Sequence, residues 1–272
     1  MTYGIPYKGS KNTIARQIVA FLPAAPVLID ICAGGCAVTH AALEACEGFA
    51  PKWERVIAND VDPMPLRLFQ DAIAGRYTRE TEKRWISRED FHRLKNSDPY
   101  VRYCWSFGNN GKDYVYGASI EAWKRALHHK WVLGDDTLMH DAEPREKKDW
   151  KLETLERLKR LQSLQRLQHL DAIHRLEVRC GDYAAVDIPP GAVAYADIPY
   201  VGTNCGVYGS FVHARFLDWA AAQATPVYIS SYHIGDPRFV CVWQTQKKQN
   251  SAAGGYRKIV AEKIYTQRRE GT

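Results

Sequence analysis

The run Ala192-Val193-Ala194-Tyr195-Ala196 reads as a fully buried strand, and it stops abruptly at Asp197-Ile198-Pro199-Tyr200. Short apolar runs bounded by turn residues belong to sheets covered on both faces. This one has companions. Val27-Leu28-Ile29-Asp30 reads as a short strand, followed by Ala33-Gly34-Gly35 and an alanine-rich helix to about Ala45. Arg55-Val56-Ile57-Ala58 is another, ending at Asn59-Asp60 before a helix that carries Leu66, Leu68, Phe69, Ala72 and Ile73. Further strands are expected at Leu176–Arg179 and Val227–Ser230, with a helix using Phe211, Phe216, Leu217, Trp219 and Ala220 ahead of the latter. Strand-helix alternation predicts an α/β fold, a doubly wound and mostly parallel sheet covered on both sides. In such sheets ligands bind beyond the carboxyl ends of the strands, which is where Asp30, Asp60 and Asp197 fall.

The two ends of the chain add to this plan. Ser10 is in place to cap a helix with Ile14, Ile18, Phe21 and Leu22 on one face, ending before Pro23. Phe239–Thr245 and Ile259–Thr266 predict a C-terminal antiparallel hairpin around a polar loop, Lys247–Gly255. Between about Gly75 and Arg175 the alternation breaks, and aromatic residues such as Trp85, Trp105 and Trp123 sit among charged ones. We read 76–175 as a helical inserted subdomain, with 1–75 and 176–272 forming the main domain. Starting inside the insertion, leucine recurs at 152, 155, 158, 161, 164, 167, 170 and 176, with Ile173 in phase. Three residues advance an α-helix by about 300°, so the stripe circles the helix, and a helix packed on several sides is expected.

Composition narrows the class. Hydrophobic content of 46% and charged content of 25% are ordinary for a globular protein. No apolar run approaches the roughly 18 residues of a membrane span, and no signal peptide opens the chain, so a cytoplasmic protein is expected. Seven cysteines without Cys-x-x-Cys or zinc spacing predict reduced thiols and no metal site. The net charge of +6 is modest, but Pro237–Thr272 alone carries eight Lys/Arg against Glu262 and Glu270. A run of this kind is commonly a solvated face; the functional alternative is a phosphate-facing edge that uses Lys247, Lys248 and Arg257.

The strand ends supply candidate chemistry. A carboxylate at 197 can accept a hydrogen bond from an exocyclic amine, and a ring at 200 can stack on a base drawn out of its helix. Ala33-Gly34-Gly35 lets a ligand approach the backbone at a helix N-terminus. Asp60 stands where nucleoside-binding α/β folds place a carboxylate for ribose hydroxyls. Asp182, in Cys180-Gly181-Asp182-Tyr183, ends a third strand and could receive an adenine amino group. Each has a bland counterpart: a structural glycine turn, a surface aspartate, a turn residue.

Taken together these residues resemble the Dam-like family of DNA adenine N6-methyltransferases. Asp197-Ile198-Pro199-Tyr200 is close to the Asp-Pro-Pro-Tyr signature, with isoleucine in place of the first proline. Tyr7-Lys8-Gly9-Ser10-Lys11 resembles the family's Trp-Ala-Gly-Gly-Lys segment, and Asp30–Gly35 its cofactor loop. Ser106–Gly111 with Tyr114–Gly117 resembles the segment leading to target recognition. Thr203, Tyr208 and Phe211 keep the aromatic spacing past the catalytic turn, and Arg257 with Glu262 resembles the final strand.

The resemblance implies the fold of S-adenosylmethionine-dependent methyltransferases and transfer of a methyl group from S-adenosylmethionine to adenine N6 in double-stranded DNA. It implies that Asp197, Ile198, Pro199 and Tyr200 form the catalytic turn. It also implies that Tyr7, Lys11, Asp30, Ala33, Gly34, Gly35, Asp60, Asp182 and Asp197 border the cofactor. The insertion would set the target sequence. Rival readings are cytosine-N4 or RNA adenine methylation, and a non-catalytic nucleic-acid-binding module that keeps the fold. Target sequence and oligomeric state are not legible.

Overall fold

The structure, a computed structural model, describes residues 3–140, 156–200, 209, 211–250 and 257–269, with backbone alone at 156, 247–250 and 257–258. It divides into two units. The first comprises Met1–Gly4, Lys11–Leu66 and Asp171–Thr272, and the second Ile5–Ser10 and Arg67–Leu170. The division thus falls nine residues ahead of the expected boundary at 75/76, and a short N-terminal segment goes with the second unit.

The first unit holds a single seven-stranded sheet in the order β3-β2-β1-β4-β5-β7-β6. Its strands are β1 (Ala25–Asp30), β2 (Trp53–Asp60), β3 (Leu176–Cys180), β4 (Val193–Asp197), β5 (Val227–Ser231), β6 (Phe239–Asn250) and β7 (Arg257–Gln267). All pairs from β3 to β5 are parallel, and β7 enters antiparallel beside β5 with β6 outside it. The strand order reverses between β1 and β4, which makes the gap beyond their carboxyl ends the expected ligand crevice. The doubly wound α/β architecture read from the alternating pattern is therefore present, and it is consistent with the fold of S-adenosylmethionine-dependent methyltransferases.

Side-chain alternation shows which helix covers which face. Ile29, Ile31, Ala194, Ala196 and Ile198 share a buried cluster with Phe216 and Ala220 of the helix His213–Ala221. Asp30 lies between Ile29 and Ile31 and points the other way, to Thr39 in the helix Ala37–Glu44. Because side chains alternate along a strand, these two helices cover opposite faces.

Three expectations need correction. The first helix begins at Ala15, with Ile14 at the cap position and no side-chain cap, so Ser10 does not cap it. A turn intervenes, in which the Ile14 and Ala15 amides donate to the Lys11 carbonyl, because Lys11 is anchored elsewhere (see below). The C-terminal strands run past the expected loop: β6 continues through Lys247 and Lys248 to Asn250, paired with Arg257. Alternate residues of a two-stranded ribbon need no core to stay paired, so polarity did not mark its end.

The leucine stripe is the third. Leu152 and Leu155 lie outside the described residues. From Glu156 the chain is α-helical only to Gln165, then passes into 3₁₀ turns at Arg166–His169 and Asp171–Arg175. A 3₁₀ helix has three residues per turn, so a period of three stays on one face there. Leu161, Leu164 and Leu167 are 0% exposed and Leu170 8%, while the intervening Gln168 and His169 are exposed. Leu161 and Leu164 lie in the α-helical part and Leu167 in the first 3₁₀ turn, so the stripe stays buried across the change of helix type, whereas Ile173, in phase with it, is 41% exposed. Leu167→Ala should cost about 2–5 kcal/mol of stability in urea unfolding, and Gln168→Ala no more than about 0.5 kcal/mol. Equal costs at the two positions would contradict a single buried face.

Candidate active site

The carboxyl ends of β1, β2 and β4 bring three aspartates into the first unit's crevice, each held differently. Asp30 is 1% exposed, and its Oδ2 accepts from the Thr39 amide at 3.2 Å and the Thr39 hydroxyl at 2.7 Å. It therefore satisfies one of the open amides at the N-terminus of the helix Ala37–Glu44. Expected in the cofactor set, it is placed behind the turn and supports it. Burial pushes its carboxyl up to about 7, reinforced by the charges of Asp197 and Asp60 and opposed by the Thr39 bonds.

Asp60, 2% exposed at the end of β2, accepts from the Gly34 amide at 2.7 Å through Oδ2 and from the Asp62 amide at 2.9 Å through Oδ1. These two bonds, one to each oxygen, fix the plane of the carboxylate. The glycine turn it braces is tightly wound. Gly34 has φ 46° and Cys36 φ 54°, both left-handed. Gly4 presses on this turn from the N-terminal segment: a Cβ there would stand 2.2 Å from the Gly35 carbonyl oxygen. Its amide donates to His40 Nδ1 at 3.0 Å. Asn59 ties the neighbouring loops together by donating to the carbonyls of Ile31 at 3.0 Å and Gly181 at 3.1 Å. Gly4 and Asn59 were missed as site-shaping residues, and only the glycine in an otherwise ordinary N-terminus hinted at the first.

Asp197 ends β4, opposite Ser230 of β5. The Lys11 ammonium sits 2.5 Å from its Oδ1 and 3.7 Å from Glu262 Oε1. Lys11 is 3% exposed and Glu262 0%, whereas Asp197 retains 23%. Tyr200 donates its hydroxyl to Glu262 Oε1, and the Lys11 ammonium stands 4.8 Å from the centre of the Tyr200 ring. Tyr232 meets that ring edge-on at 4.3 Å. Burial, then the charges of Asp197 and Glu262, hold the Tyr200 phenol far above its ordinary range, so it remains a donor. Ile198 is 4% exposed within the core cluster, and the Pro199 carbonyl lies 2.6 Å from a His213 ring nitrogen.

The remaining expected residues are more dispersed. Asp182 is exposed and accepts from the Ala184 amide at 2.8 Å, which makes it the cap of a short 3₁₀ turn. Tyr7 belongs to the second unit, where its ring tilts against Tyr103 at 5.4 Å. Thr203 and Tyr208, and the side chains of Lys247, Lys248 and Arg257, lie outside the described residues.

The field of the crevice is negative. The Cys32 thiol, beside the glycine turn, is pushed up by burial and then by Asp60, Asp30, Asp197 and Asp182. A thiol so disfavoured as thiolate is no nucleophile. The same carboxylates would attract a cationic ligand. Among the described residues no group of three or more His, Cys, Asp or Glu is arranged to hold a metal, and no helix is long and apolar enough to cross a membrane.

Residues 7–112 match the family model of the D12 class N6 adenine-specific DNA methyltransferases, consistent with a Dam-like adenine methyltransferase. The match takes in the glycine turn and Asp60 and stops short of Asp197. No curated protein matches the chain.

The raised Asp30 carboxyl has a consequence for stability. Unfolded, an aspartate titrates near 3.9; folded, Asp30 titrates at about 7. Between these values the native state binds the extra proton, so stability falls as pH rises from about 4 to about 7. Asp30→Asn keeps an acceptor for Thr39 and removes this loss. Urea unfolding across that range should show the variant gaining on the parent as pH rises, and a constant difference would contradict the shift.

Proposed function

We propose that the protein transfers a methyl group from S-adenosylmethionine to N6 of adenine in double-stranded DNA, at a site of fixed sequence. The observation that carries the reading is the Asp197–Tyr200 turn, a carboxylate and an aromatic ring at the end of β4, beside a glycine turn braced by Asp60. The family match over 7–112 supports adenine methylation of DNA.

The residues present fit the cofactor. Its sulfonium and ammonium groups are cationic, and the carboxylates gathered around Cys32 provide the complementary field. Asp60 and the Ala33–Gly35 turn form the donor and acceptor set a ribose diol needs, with Asp182 at the next strand end. When bound, S-adenosylmethionine supplies an electrophilic methyl group whose leaving group is a neutral thioether.

An exocyclic amine conjugated to a purine is a poor nucleophile. Asp197 accepts one of its hydrogens and the Ile198 carbonyl the other, which withdraws the nitrogen lone pair from the ring and turns it toward the methyl. As the N–C bond forms and the S–C bond breaks, the surplus N6 proton departs on the Asp197 side. Tyr200 offers its ring to the extruded base, recovering about 1–3 kcal/mol of the unstacking cost. Positioning and fixed charge supply most of the acceleration. Lys247, Lys248 and Arg257, on β6 and β7, are assigned to backbone phosphates.

Asp197→Asn should lower methyl incorporation into unmethylated DNA by on the order of 10²–10³-fold while DNA binding persists. A near-parental rate would place the chemistry elsewhere. Asp60→Ala should weaken S-adenosylmethionine binding by about 1.5–3 kcal/mol in calorimetry, the scale of a hydrogen bond to a charged group. Unchanged affinity in a variant that melts normally would remove Asp60 from the cofactor site.

A further inference from the structure

Glu262 lies in a basic C-terminal stretch, yet it is fully buried on β7. Its Oε1 gathers the Tyr200 hydroxyl, the Ser230 hydroxyl at 3.1 Å and the Lys11 ammonium at 3.7 Å. Its Oε2 has no hydrogen-bond partner among the described residues. A buried carboxylate with a bare oxygen is a poor way to fill space, because the desolvation it suffers is only half repaid.

The arrangement around Lys11 gives this charge a use. In the proposed reaction Asp197 must draw a hydrogen from the target amine, and the Lys11 ammonium 2.5 Å from its Oδ1 neutralises the charge that makes the carboxylate a strong acceptor. A cation that is 3% exposed has no water to retreat to, so it can release Asp197 only toward another negative group. Glu262 is the carboxylate within reach. A shift of about 1 Å would bring the ammonium from 3.7 Å to the length of a charge-assisted hydrogen bond.

We propose that Glu262 is a positioning residue of the active site: it takes over Lys11 when the target amine engages Asp197, and it holds the Tyr200 phenol throughout. The inference rests on the methyl-transfer reading. It joins the antiparallel end of the sheet to the chemistry at β4, and it accounts for a buried acid in an otherwise basic stretch.

The test is steady-state methylation of unmethylated DNA by the full-length protein. Glu262→Gln preserves shape and an acceptor for Tyr200 but removes the charge. It should lower kcat about tenfold or more, leave the KM for DNA within about twofold, and leave the melting temperature unchanged or raised. In a Lys11→Met background, where no cation needs a second home, the same change should cost about threefold or less. Should Glu262→Gln fail to fold, Tyr200→Phe keeps the ring and deletes only the bond to Glu262. It should then lower kcat/KM several-fold, and unchanged kinetics would overturn the inference. An active parent whose Glu262→Gln variant keeps kcat within about threefold overturns it too, as do losses that multiply in the double variant. A parent that incorporates no methyl into any DNA sinks the reaction itself and takes this inference with it.

Discussion

A buried ammonium organises the first unit. Lys11 is almost wholly removed from water, and an unpaired cation in that position would cost several kcal/mol. It is compensated by two carboxylates far away in sequence, Asp197 on β4 and Glu262 on β7. One side chain thereby fixes the segment ahead of the first helix, the end of a parallel strand and an antiparallel strand. The helix follows at Ala15, after a turn in which the amides of Ile14 and Ala15 donate to the Lys11 carbonyl.

A second use of charge shapes the crevice. Asp60 directs a carboxylate oxygen at the Gly34 amide in the turn after β1, and Asp30 one at the Thr39 amide in the first turn of the helix that follows. Carboxylates there satisfy amides that a helix start leaves open, and they complement its positive end. The cost is mutual repulsion, visible in the Asp30 carboxyl raised partly by Asp197 and Asp60. A cationic ligand would relieve it, as the proposed cofactor would with its sulfonium and ammonium groups.

The parallel strands and their terminal aspartates were legible because each run is apolar, short and closed by a polar turn, a pattern that only a doubly covered sheet satisfies. The seven-strand order was not legible, since pairing partners are set by packing rather than by composition. Glu262 was legible as part of a strand that resembles the family's final one, but its burial was hidden for a different reason. Counted as charge it is one acid among eight Lys/Arg, and its burial depends on β7 entering beside β5, opposite Ser230–Ile264 and Ser231–Lys263. The leucine period misled because one continuous α-helix was assumed; the α-helix ends at Gln165, and the few leucines it holds span too few turns to circle it.

Isoleucine at 198, where the resembled family has proline, can now be weighed physically. A first proline would stiffen the turn by fixing φ. Here the stiffness comes from outside the backbone. The Ile198 side chain is buried among Ile29, Ile229 and Phe216, and the carbonyl of Pro199 is held by His213 at the start of the next helix. The first anchor acts on the residue that carries the carbonyl of the proposed reaction, and the second on the residue just ahead of the ring. Any backbone drift at 198 would have to pull a branched side chain out of a packed core, where even small displacements forfeit many contacts. The substitution therefore exchanges a covalent restraint for a packing restraint, and it leaves the carbonyl of residue 198 in place to act as an acceptor.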